Sequence, residues 1–196
     1  MREQRRGRVI AMSTGEVDAF LGRERTCRLA TLGPDGPHVS PVWFTWAGGA
    51  LWIYSLTRSQ RWADLQRDRR VAAVIDGGEH YAELHGVEIE GEAVVVGPVP
   101  RTGDADPQTP ELAEPERLMA AKYFGAPDMT HDGRHAWLRI TPTKITSWDF
   151  RKLATLPTKG PTKGPTKGPT KGPTKGPTKG PTKGPTKGPT KGPTKG

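Results

Sequence analysis

The chain has 196 residues, with 30 Lys and Arg against 21 Asp and Glu and a single cysteine, Cys27. One cysteine excludes an intrachain disulfide and a cysteine-built zinc site, and no apolar run approaches the ~20 residues of a membrane-spanning helix. The net charge of +9 is misleading: ten lysines lie in residues 157–196, and the remainder carries 20 basic against 21 acidic residues, which excludes charge as an argument for a nucleic-acid-binding domain.

In chain order, residues 1–12 form a basic stretch expected to be a flexible leader. It holds no apolar segment long enough for a secretory signal, so a cytoplasmic protein is expected. Ser13-Thr14-Gly15-Glu16 is a capping box that predicts a helix over 14–21, with Val17, Phe20 and Leu21 facing a core. Residues 26–32 and 38–46 predict two strands around the turn Gly33-Pro34-Asp35-Gly36-Pro37. Pro41 cannot donate to a ladder, so the second of these strands must be bulged or lie at an edge.

Residues 51–68 read LWIYSLTRSQRWADLQRD. A strand with Leu51, Ile53 and Ser55 on one side passes through a polar bend, 57–60, into a predicted helix over about 59–68. Free N–H groups at such a helix start would favour an anion. Residues 71–75 predict a buried strand, and 83–96 a long strand with one wet face, bent at Gly86 and Gly91. Residues 98–115, with five prolines, predict a loop; a helix is expected over 116–124. Two closing strands are expected over 136–140 and 144–148, separated by Pro142. Together these elements predict a mainly β fold with flanking helices: a six- to seven-stranded antiparallel split barrel over 13–156.

His131 and His135 are four apart, but the Asp132-Gly133 between them breaks any helix, so no metal site is expected. No residue stands out as a catalytic proton donor. Residues 157–196 are ten copies of Pro-Thr-Lys-Gly, which have nothing to build a core and are expected to be disordered. Weak, salt-dependent contact with polyanions is one use for such a tail, and an expanded DNA repeat is the plainer origin.

The succession RLATLGPDGPHVSPVWF, LWIYSLTRSQRWADLQRDRRVAAVID and GVEIEGEAVVV resembles the pyridoxamine-phosphate-oxidase-like split β-barrel superfamily, within it the flavin and deazaflavin oxidoreductases that use FMN or F420. The resemblance implies a homodimer with two cofactor sites at the subunit interface. It implies that Thr57, Ser59, Gln60 and Arg61 contact the cofactor phosphate, and that Ser40, Pro41, Val42 and Trp43 lie along the ring system. Trp148 corresponds to the segment that closes over the site. The expected activity is hydride transfer between F420, the first choice, or FMN and a small organic substrate. The preference for F420 rests on a Lys-poor, Arg/Ala/Gly/Val-rich body that suggests a GC-rich genome. Two alternatives stay open: a non-catalytic flavin, deazaflavin or haem-binding protein on the same fold, and a polyanion-binding adaptor driven by the tail.

Overall fold

The computed structural model describes residue 4 and residues 7–103 and 109–155; the repeat tail and its expected disorder lie outside the described residues. Helix α1 (Thr14–Arg23) starts at the expected box. The Ser13 hydroxyl accepts from the Glu16 N–H at 3.3 Å, and the Glu16 carboxylate accepts from the Ser13 N–H at 2.6 Å. Two amides left open by the helix start are thereby satisfied. The helix buries Val17, Phe20 and Leu21.

Seven strands follow: β1 (Thr26–Gly33), β2 (Gly36–Trp43), β3 (Thr45–Ala47), β4 (Ala50–Leu56), β5 (Arg70–Gly77), β6 (His85–Val96) and β7 (His135–Asp149). All pairings are antiparallel, in the order β2-β1-β5-β6-β7-β4-β3. Phe44 alone separates β2 from β3, yet these strands stand at opposite ends of that order. One residue cannot span a flat seven-stranded sheet, since neighbouring strands lie about 4.8 Å apart. The sheet therefore curls until its ends meet, which makes the split barrel. Leu29, Phe44, Leu51, Ile53, Ile75, Val87 and Ile89 fill its interior, closed at one side by α1.

Pro41 sits in unbroken one-to-one register opposite Arg28, so β2 is not bulged there. The edge position is what tolerates the missing N–H. At the other proline the expectation is corrected. The closing strands are one continuous strand, β7, and Pro142 lies within it. β4 pairs with β7 only as far as Ile140, and the β6–β7 register slips by one residue at Glu90/Gly91, opposite Pro142 to Lys144. A bulge on a flank with no second partner removes the demand for the proline N–H.

Outside the sheet, β4 has a second buried face. Trp52 packs with Trp137, Val96, Leu112 and Met119 beneath α3 (Ala113–Met119). α3 begins three residues before the expected helix and passes into a π-helical turn over Ala120–Phe124; a 3-10 turn, Pro110–Leu112, interrupts the expected loop. Arg101, 2 % exposed, anchors this layer: its Nε donates to Glu116 Oε1 at 2.9 Å, and the same oxygen accepts from Trp137 Nε1 at 3.1 Å. Gln4 bonds the backbone of Ser147 through both ends of its amide, and the Asp149 N–H donates to the Ile10 carbonyl, so these leader residues lie against β7.

Gly86 shows how tightly β5, β6 and β7 are stacked. A Cβ there would stand 2.5 Å from Trp148 Cζ2 and 2.7 Å from the Ile75 carbonyl oxygen. Backbone cannot yield as a side chain can, so Gly86→Ala is expected to destabilise the fold by about 1–3 kcal/mol, measured by urea unfolding.

Candidate functional site

The short helix α2 (Gln60–Leu65) covers the place where the ends of the barrel meet. It is shorter than the predicted 59–68, and Ser59 caps it: the Trp62 N–H donates to the Ser59 hydroxyl at 3.2 Å, and the Ser59 N–H to the Leu56 carbonyl. The positive charge at this bend is Arg61.

Arg61 is 9 % exposed and crosses the seam. Its Nη1 donates to Ser40 Oγ on β2 at 2.7 Å, while Nε and Nη2 donate to Ser55 Oγ on β4 at 3.3 and 3.2 Å. A guanidinium has five N–H groups, so two remain. Among the described residues no carboxylate pairs with it. Burial pushes its pKa down, with only a weak opposing pull from Cys27. A buried cation held by hydroxyls alone lacks the compensation that buried charges normally have. Ser55 occupies the third position of an otherwise apolar inward face, and that hydroxyl among Leu51 and Ile53 was the signal available in the sequence.

The other expected phosphate contacts point elsewhere within this chain. The Thr57 hydroxyl donates to the Arg134 carbonyl at 3.0 Å, Ser59 Oγ to the Leu56 carbonyl at 2.8 Å, and Gln60 Nε2 to Asp64 Oδ1 at 2.8 Å. Of the expected ring-side stretch, Ser40 and Val42 face inward, Ser40 to Arg61 and Val42 to the core. Pro41 and Trp43 face outward. Trp43 stays 51 % exposed although it stacks on Tyr123 at 4.5 Å and 16°, with Phe124 at its edge.

Tyr123 and Lys122 come from the π-helical turn, whose register no periodicity in the sequence discloses. The Tyr123 hydroxyl accepts from the Phe44 N–H at 3.0 Å, pinning the crossover between the barrel's ends, and lies 2.6 Å from the Arg25 carbonyl. Lys122 Nζ donates to the Leu21 and Phe44 carbonyls, both at 3.3 Å, above the Phe44 ring. Burial, reinforced by Arg25, brings its pKa down to about 8. Burial also pushes Cys27 up to about 12, which leaves it an inert thiol.

Trp148 is paired with Gly86, at the far end of β7. Ser55 pairs with Ala136 on the same strand, twelve residues earlier, or roughly 40 Å of strand contour. Among the described residues, no hydrogen bond or ring contact joins Trp148 to the Arg61 cluster. His131 and His135 bind carboxylates, Glu116 at 3.0 Å and Asp132 at 2.9 Å. A separate pocket of about 690 Å³ lies between α1, β3 and β7, lined by Met12, Val17, Trp46, Pro142 and Ile145, and includes none of the Arg61 cluster.

The lowered Lys122 pKa has a definite consequence for stability. Between about pH 8 and the ordinary lysine value near 10.4 the unfolded chain binds the extra proton, so stability rises with pH. Cys27, pushed up by burial to about 12, opposes this from about pH 9, and Tyr123, likewise pushed up to about 12, does so above about pH 10. Unfolding free energies from urea titrations are expected to climb between about pH 8 and 9 in the native chain but not in Lys122→Met, and above about pH 9 to fall less steeply in the native chain than in the variant.

Comparison with known proteins places this geometry. The family model described as Pyridoxamine 5'-phosphate oxidase matches residues 13–149. The conserved hypothetical protein Rv2991 from Mycobacterium tuberculosis is 31 % identical, with a TM-score of 0.63 over 80 % of this chain and 94 % of its own. A structure titled F420 Reductase superposes at 0.51, with 20 % identity over 68 % of this chain and 98 % of its own. A FAD-binding protein from Mesorhizobium loti does so at 0.53, with 15 % identity over 70 % and 93 %. These last two likenesses concern the fold. No curated protein matches the sequence.

Proposed function

The chain belongs to the pyridoxamine 5'-phosphate oxidase family, and on that footing we propose that it is a homodimeric oxidoreductase whose Arg61 holds the phosphate of F420, the first choice, or FMN. The observation that carries the reading is the buried Arg61 guanidinium with two free N–H groups, hydroxyl partners only and no carboxylate among the described residues. A phosphate monoester supplies the missing negative charge through charge-assisted hydrogen bonds. The bound group would supply the hydride chemistry for a small organic substrate.

The chain's own residues bind and position. Ser40 and Ser55 fix the guanidinium plane, and β2 carries the ring-side stretch away from it toward Trp43. Thr57, Ser59 and Gln60 surround the same bend and reach a phosphate only by exchanging their present partners. Trp148, which neither a hydrogen bond nor a ring contact joins to its own Arg61, is proposed to close over the site of a second copy. The exposed face of Trp43 suits that arrangement, since it offers a large apolar surface to a partner or a planar ring.

Arg61→Ala is expected to weaken FMN and F420 binding by about tenfold or more, the worth of one charged hydrogen bond, while the unfolding midpoint stays close to that of the native chain. Fluorescence titration of each cofactor measures this. Unchanged affinity for both would mean that the phosphate lies elsewhere. Binding without turnover of any hydride acceptor would leave a carrier in place of an enzyme.

A further inference from the structure

Arg61 is not the only residue of α2 that faces β2. One helical turn on, Asp64 faces His38, which precedes Ser40 by two residues on the same side of the strand. Strand spacing and helix spacing match, so Ser40–Arg61 and His38–Asp64 form adjacent rungs between the same two elements.

The Asp64 side chain is fully buried. Burial alone would raise its pKa, but hydrogen bonds from Gln60 and Thr31, with Arg67, hold it below the ordinary carboxylate range, and it is a fixed negative charge. His38 Nδ1 is buried, makes no hydrogen bond, and lies 3.8 Å from Asp64 Oδ2. A small rotation of the ring closes that gap. Nε2 has no hydrogen-bond partner either, but it is not among the buried unpartnered atoms, so the outer edge of the ring is open to solvent; the side chain as a whole is 39 % exposed. A carboxylate behind one imidazole nitrogen holds the proton on that side, so the other nitrogen faces outward and is a donor when the ring carries both protons.

We propose that His38, backed by Asp64, is a second ligand of the oxyanion site: as imidazolium it binds the same phosphate-like group as the free N–H groups of Arg61. The inference rests on the phosphate reading of Arg61 and adds a regulation to it. Two N–H groups of one guanidinium do not saturate a dianion, and the adjacent rung supplies the further donor only when its ring is charged. The charged groups that bear on the ring are Asp64, Arg67 and Arg61 from α2; β1 presents only Thr31 opposite, and β2 itself only Ser40. Affinity for an oxyanion should therefore fall as pH rises through the range where histidines lose their proton.

Sulfate is the suitable probe, because it keeps its double charge across that range whereas phosphate does not. Its dissociation constant is read from the Arg61 Nε–H resonance of the full-length chain at pH 5.5 and pH 8.0. The native chain is expected to bind about tenfold more weakly at the higher pH, and His38→Gln equally weakly at both. The His38 Cε1 resonance of the native chain should also move when sulfate is added at pH 5.5, a readout that needs no variant. A native affinity independent of pH, a pH dependence that survives His38→Gln, or an unmoved His38 overturns the proposal while leaving Arg61 as the anion ligand. Sulfate that leaves Arg61 itself unmoved at both pH values removes the phosphate reading and this inference together.

Discussion

A positive charge bridges the one discontinuity in the sheet. A sheet whose first and last strands are joined through Phe44 has to meet itself, and no backbone ladder runs between β2 and β4. Arg61 spans that seam with three hydrogen bonds to two hydroxyls. Removing the guanidinium from water is costly, and hydroxyls return only part of the loss. Such a residue is weak evidence for stability and good evidence for a ligand, because an anion restores what burial removed. The bridge across the seam and the proposed phosphate contact thus fall on one side chain.

A second group of contacts keeps the seam in place from the opposite direction. Tyr123 bonds both the N–H and the carbonyl of Phe44, and Lys122 reaches the same carbonyl and the end of α1. The crossover residue is therefore held from the π-helical turn, and that turn hangs on a layer fixed by the buried Arg101–Glu116 pair. The outer layer thereby meets the seam at Phe44.

Most of the fold was legible because it is written in short-range terms. The Ser13–Glu16 box, the period-two alternation of 83–96 and the turn residues at 33–37 each specify local geometry that tertiary contacts do not override. The single strand across Pro142 was not legible, since a proline reads as a break until the absence of a third strand beside it is known. At the site, Arg61 and Ser40 were found through the family pattern. Their mutual hydrogen bond, and the role of Ser55, follow only from the curling of the sheet, which joins residues 15 and 21 positions apart in ways no periodicity encodes. The helix dipole carries little weight here: α2 is only six residues long, and its N-cap serine takes one of the opening amides.

The edge strand β2 carries one more implication. Its outward positions are Pro37, Val39, Pro41 and Trp43, an apolar row in which two of four residues have no N–H. Strands added at an edge are held by main-chain donors and acceptors in alternation. Here every second rung would lack its donor, so β2 resists extension by a foreign strand, including the runaway edge-to-edge pairing that leads to aggregation. Whatever approaches this side must do so flat, through side-chain packing on Val39 and Trp43. The same two prolines that terminate the sheet thereby leave its aromatic surface available without making it adhesive.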